Sequence, residues 1–321
     1  MTGPMKRLFG ILSAMAFGLG CFHAPVALAR ESDPSAAPAP AITPLAISVP
    51  EGHPRPVRPP LWRVADEDTV IWLFGTIHAL PGNVAWYDGQ VATALEGSLE
   101  LVTEIGEVKP ETMQVAVLSR ALLPQGEKLR DKLTPEQRAR YEACLSRLSI
   151  PAERFDPLKP WFAAVNLVMA QLARQGITGG QGVEATIDAR AKRLGLRPAA
   201  LETVEYQFAQ FDSLAPDVQV RYLMESVDNL EKLDGELKRM IDAWLAGNAE
   251  ELAIIMNENQ SDPELARQLL WPRNKAWAEW VRHRLEQPGI VFMAVGAGHL
   301  AGPGSVQDEL AARGVTTQRV Q

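Results

Sequence analysis

Short apolar runs near both ends of the chain predict strands. Residues 61–66 and 69–75 flank an Asp/Glu turn, which is typical of two adjacent strands. Residues 99–105 and 289–295 are almost continuously apolar, which favours strands that helices cover on both faces. Weaker patterns add strands at 197–201 and 316–320.

Helical patterns occupy most of the sequence between these runs. Thr134 and Ser261 each open a capping box, and Gly195 is placed to end a helix. Pro272 is expected to interrupt the helix that starts at Ser261, because proline lacks the N–H of a helix interior. The pattern predicts helices at about 88–97, 134–148, 161–175, 184–194, 216–246, 274–285 and 306–313.

Few strands alternating with many helices indicate an α/β fold. We expect a mixed central sheet built from the N- and C-terminal ends, with helices on both faces. A largely helical middle insertion, at about 106–288, separates the two ends. The folded domain is predicted to span 61–321.

The first 60 residues have a different composition. Lys6 and Arg7, the apolar run 8–22 and the small residues 27–29 match a secretory signal peptide over 1–29. Residues 30–60 are rich in Pro and Ala and predict a disordered tether. No later run reaches the roughly 18 apolar residues of a membrane helix, so no span is expected after signal cleavage. We therefore expect a periplasmic or extracellular protein.

Charge and cysteine content exclude several classes of protein. The net charge is −7, whereas dedicated nucleic-acid binders usually carry a basic surplus. Cys21 lies in the predicted signal, which leaves Cys144 alone in the mature chain. A single cysteine forms neither an internal disulfide nor a cysteine-only metal site.

One motif occurs twice and carries the candidate chemistry. Each of two apolar strands leads into Gly-x-x-His, ending at His78 and at His299. Loops after the carboxyl ends of strands build the ligand crevice of open α/β sheets, so both imidazoles could face one crevice. Neutral imidazoles bind late first-row divalent ions. The sequence therefore predicts a metal site, with zinc, manganese, cobalt or iron as candidates.

An anionic ligand is expected beside the two histidines. Glu104 is the best placed, because an acid inside a buried strand is costly unless it is paired or bound to metal. Glu202 is a second candidate at the end of another predicted strand. Arg273 and Asn274 could stabilise a developing oxyanion, although a surface charge is the simpler interpretation of Arg273.

The same motifs resemble the TraB/GumN (TIKI-like) family, which is related to the erythromycin esterase and ChaN-like proteins. The resemblance implies an α/β fold and a metal-dependent hydrolase, with His78, Glu104 and His299 as the metal and catalytic set and Arg273 and Asn274 in support. The chain departs from the family pattern after Glu104, where Leu-Asp is usual. The matching residues are Trp72–His78, Glu104, Gly182–Glu184, Leu201–Thr203, Gln207, Arg273–Asn274, Val295–Leu300 and Gly302.

Three functions follow as hypotheses. The first is a secreted metallopeptidase, in which an ion lowers the pKa of a bound water and polarises the carbonyl of a peptide or protein substrate. The second is a protein that binds haem, a metal or a small ligand through the same histidines. The third is a non-catalytic factor in envelope or polysaccharide assembly, in which the histidines are hydrogen-bonded scaffolding.

Overall fold

The computed structural model describes residues 57–78, 80, 84–177, 182–258 and 263–321. For residues 256–258, 263, 264 and 266 only the backbone is described. The predicted signal peptide and most of the predicted tether lie outside the described residues. Ser261, which opens the second predicted capping box, also lies outside the described residues.

A six-stranded mixed sheet forms the centre of the fold. Four strands are parallel and lie side by side in the order β4-β3-β5-β2, and β1 and β6 continue the sheet as antiparallel neighbours. The turn between the first two strands closes on Asp66, whose carboxylate accepts the backbone N–H of Thr69 at 2.9 Å. The strands are β1 (Leu61–Ala65), β2 (Thr69–Thr76), β3 (Glu100–Ile105), β4 (Arg197–Glu202), β5 (Gly289–Gly296) and β6 (Gln318–Arg319).

Twelve α-helices are described, joined by short 3₁₀ turns. Thr134 and Gln137 form the predicted capping box, and Gly195 ends its helix in the left-handed conformation. The helices are α1 (Gly89–Glu96), α2 (Pro110–Arg120), α3 (Pro135–Arg147), α4 (Pro160–Arg174), α5 (Val183–Leu194), α6 (Val204–Asp212), α7 (Pro216–Asn229), α8 (Leu233–Leu245), α9 (Ala249–Glu258), α10 (Pro263–Leu269), α11 (Trp271–Arg284) and α12 (Val306–Ala311).

Helices pack on both faces of the sheet, as predicted. Successive strand residues point to opposite faces, and Phe74 and Phe292 join the larger core on one side. Leu73 and Met293 join a smaller core on the other side. Helices α4 to α8 contribute to the larger core, and α11 and α12 to the smaller one. The α/β class with a mixed sheet is confirmed.

Some boundaries differ from the prediction. The helix expected over 216–246 is two helices, with a 3₁₀ turn at Leu230–Lys232 between them. Asn229 lies at the break and donates its amide to the carbonyl of Glu225, a local bond that competes with the helix ladder. Strand β6 has two residues rather than five. No helix in the described ranges is both long and apolar enough to cross a bilayer.

Candidate active site

The carboxyl ends of the four parallel strands meet at one edge of the sheet. In the strand register, Thr76 lies opposite Gly296, and Thr103 lies opposite Ala294. The backbone N–H of Gly296 donates to Oε1 of Glu104 at 2.7 Å. The two Gly-x-x-His motifs and the predicted acid therefore start from neighbouring strand ends.

Glu104 is buried, with 2% of its surface exposed. Its Oε2 accepts a hydrogen bond from Nη2 of Arg273 at 2.8 Å and a longer one from Nε2 of Gln207 at 3.4 Å. Burial raises the pKa of the Glu104 carboxyl, although the charge of Arg273 and the N–H of Gly296 oppose the rise. The carboxyl group is thus held firmly yet has an increased affinity for a proton.

Arg273 joins Glu104 to Glu202. Its Nε donates to both oxygens of Glu202, at 2.8 and 3.0 Å, and its guanidinium lies 4.9 Å from the ring centre of Trp277. Trp277 and Gln207 also donate to Glu202, each at 2.9 Å. Burial alone would lower the pKa of Arg273, but the two carboxylates outweigh it and raise that pKa. The interpretation of Arg273 as a surface charge is wrong, because it is 2% exposed and balances two buried acids.

His299 is fully buried and is fixed by Asn274. The Nδ1 atom of His299 lies 2.5 Å from Oδ1 of Asn274, and the Asn274 amide donates to the carbonyl of Gly304 at 2.7 Å. With the amide assigned this way, Oδ1 is an acceptor, so Nδ1 carries the imidazole proton. The Nε2 atom lies 3.9 Å from Oε1 of Glu104 and has no hydrogen-bond partner among the described residues.

The surroundings of His299 keep its ring neutral. Burial lowers its pKa well below the usual value, and the charges of Arg273 and His78 add to the effect. Trp277 packs against the ring with the two centres 4.2 Å apart. Nε2 therefore presents a lone pair toward Glu104.

His78 is paired with Glu184, which is among the residues that match the family but received no role from the sequence. Its Nδ1 lies 2.8 Å from Oε1 of Glu184 in the first turn of α5. Burial would raise the pKa of Glu184, but the charge of the adjacent His78 outweighs it and lowers that pKa. Gly182 allows the approach, because a Cβ there would lie 2.6 Å from the carbonyl oxygen of His78.

A cavity of about 900 Å³ opens beside this edge of the sheet. His78, Glu184 and Glu104 line one end of it, together with Thr76. Arg273 and Asn274 contact Glu104 and His299 from behind, so their contacts orient those two side chains. The ionisable groups at this end of the cavity are a histidine–carboxylate pair and a second carboxyl group, and Glu107, Asp188 and Lys192 line the rest of it.

The predicted metal ligands do not form a coordination group in this arrangement. In the part of the chain that the structure describes, no three His, Cys, Asp or Glu side chains are placed to hold a metal ion. Both oxygens of Glu104 accept hydrogen bonds, one of them from the cationic Arg273, which would repel an adjacent metal ion. His78 is directed toward Glu184. His78, Glu104 and His299 lie at the same edge of the sheet, but their side chains are not arranged to bind one metal ion together.

Comparison with known proteins gives two findings. The model of the TraB/PrgY/gumN family matches residues 60–319. An uncharacterized protein of Treponema pallidum (strain Nichols) is 22% identical over 263 residues, which cover 77% of this chain and 78% of that protein. No solved structure matches.

Proposed function

The chain belongs to the TraB/PrgY/gumN family, and we propose that it is a hydrolase that cleaves an ester or amide bond in this cavity. The observation that carries the proposal is the His78–Glu184 pair, 2.8 Å apart, in the same cavity as Glu104. A histidine oriented by a carboxylate is a recurring general base in hydrolysis. The predicted signal peptide adds that the enzyme acts in the periplasm or outside the cell.

Opposite pKa shifts support these roles for the two carboxyl groups. The pKa of Glu184 is lowered, so this carboxylate stays charged and stabilises a protonated His78. The pKa of Glu104 is raised by burial, which suits a proton donor. Two carboxyl groups whose environments move their pKa values apart are a recurring arrangement for acid–base catalysis.

The reaction then follows from these groups. His78 removes a proton from water, and the water oxygen attacks the substrate carbonyl carbon. Glu104 gives its proton to the leaving oxygen or nitrogen as the bond to the carbonyl carbon breaks. Arg273 stabilises the Glu104 carboxylate that results. Transfer of the proton from His78 back to Glu104 restores the starting state.

The test compares ester and peptide hydrolysis by the parent chain and three variants. His78→Ala and Glu104→Gln should each lower kcat/KM by about a hundredfold or more, as expected for loss of a general acid or base. The matched control is His283→Ala, because His283 is exposed, pairs with Glu279 and lies at the opposite end of α11 from Arg273. Full activity in His78→Ala would contradict the proposal, provided that circular dichroism shows all the variants folded.

Metal-dependent hydrolysis is the second candidate. One observation favours it, the buried and neutral Nε2 of His299, since native structures rarely leave such an atom without a partner. In this mechanism Glu104 would have to release Arg273 and bind the metal ion in its place. Near-stoichiometric metal in the purified parent, lost in His299→Ala together with activity, would favour this candidate. Activity that survives thorough chelation would favour the first.

A further inference from the structure

The cavity extends well beyond the reactive end. It continues between α5 and the face of β3 and β4, and the segment after β3 closes the other side through Val108 and Met113. Both Glu184 and Lys192 of α5 line it. At about 1.5 Å per helical residue, the distance between them along the helix is about 12 Å.

Apolar side chains line the part of the cavity that is remote from His78. Leu101 lies on the strand floor, Met113 comes from α2, and Leu196 and Pro198 close the far end. Ala200 of β4 lies beside the closing segment, since a Cβ at Gly106 would lie 3.6 Å from its Cβ. Small residues leave the space open, and the apolar ones make it unfavourable for polar groups.

Charged residues lie at the rim of this part. Lys192 pairs with Glu107 at 3.0 Å, with 68% and 81% of their side chains exposed. Their exposure places the charges in solvent rather than in the apolar space. Asp188 of α5 also lines the cavity, and burial raises the pKa of its carboxyl group. The cavity thus has a polar reactive end, an apolar wall formed by the strands and by α2, and ionisable side chains along α5 and at the rim.

We infer that the substrate carries an unbranched apolar acyl chain beside the bond that is cut, and that the cavity between α5 and β3–β4 holds this chain. The inference rests on the proposed function, because the acyl carbonyl would lie between His78 and Glu104. An extended chain suits a space that is long, apolar and continuous with the reactive groups.

The first test measures kcat/KM for p-nitrophenyl acetate, butyrate and octanoate. The parent should favour longer chains by about fourfold for each fully buried methylene. Ala200→Phe should remove the preference for octanoate and retain acetate hydrolysis. Ala65→Phe is the matched control, because it places the same side chain on a half-buried alanine of β1, remote from the cavity lining. Equal kcat/KM for acetate and octanoate in the parent would overturn the inference.

A second test does not depend on turnover. Calorimetry would measure binding of the neutral probe octanamide to the full chain carrying His78→Ala. Binding that Ala200→Phe abolishes would support the acyl site even if no ester were cleaved. No binding would overturn the acyl site and leave the hydrolase proposal standing. Should Ala200→Phe fail to fold, Met113→Ala widens the opposite wall and should move the preference toward longer chains; an unchanged preference would count against the inference.

Discussion

Replacing Arg273 by Met tests the buried charge network behind the site. The substitution keeps an apolar stem but removes the cation that contacts Glu104 and Glu202. These three side chains are 2%, 2% and 5% exposed, so water does not replace the lost partner. Glu202 loses its cation and keeps the hydrogen bonds from Trp277 and Gln207. Burial already raises the pKa of Glu104 in the parent, and loss of the opposing charge of Arg273 raises it further.

The cost follows from the loss of a buried ion pair. Removing one partner of such a pair costs about 3–5 kcal/mol. In the variant, the folded pKa of Glu104 lies further above its unfolded value than in the parent, because the opposing charge of Arg273 is gone. The part of the loss that comes from Glu104 is present above the unfolded pKa and shrinks as the pH falls toward it, so the total loss is smaller at pH 5 than at pH 7.

Urea unfolding at pH 7 and pH 5 measures both quantities. The control is Arg140→Met, which breaks an exposed pair with Asp228 and should cost less than about 1 kcal/mol. A loss below about 1 kcal/mol in Arg273→Met, or a loss that is the same at both pH values, would refute the reasoning.

Two further predictions concern backbone approach and titration. Gly182→Ala should lower kcat/KM by up to about a hundredfold, because its Cβ would displace the backbone of His78. The control is Gly235→Ala, whose Cβ meets nothing within 4 Å and which should leave activity unchanged. Equal activity in the two variants would be the contrary result. Burial raises the pKa of every tyrosine in the chain, that of Tyr87 to about 12, and Tyr206 is the one that is exposed. Ultraviolet titration of the folded chain should therefore show at most one of the four tyrosinate steps near pH 10.0, and a step of two or more tyrosines there would contradict the described packing. The other three are Tyr141, Tyr206 and Tyr222.

The strands that carry the site were predictable because their sequences are strongly apolar. Strands β2 and β5 stand out as runs that lead into Gly-x-x-His, and they pair in parallel. Strand β3 also pairs in parallel with β5, so its Glu104 reaches the same edge as His299. The hydrophobic pattern and the rule for parallel strand ends therefore predicted this half of the site.

The partners of these residues were not predictable from local sequence. Glu184 looks like an ordinary acid in the first turn of a helix, and only the docking of α5 against the loop after β2 brings it to His78. Arg273 lies in a helix rich in tryptophan and charge, and its burial depends on two acids from separate strands. Ion pairs between distant segments leave no periodic signal, so the metal-ligand set was the simpler hypothesis for these residues.

The most direct test of the central claim is the effect of Glu184→Gln on kcat/KM for an ester that the parent hydrolyses. The amide keeps the size of the side chain but removes the charge that stabilises a protonated His78. We predict a loss of about a hundredfold or more, while Glu205→Gln, an exposed glutamate of α6, retains activity. Full activity in folded Glu184→Gln would contradict the account, because His78 and Glu184 would then not act together as the base.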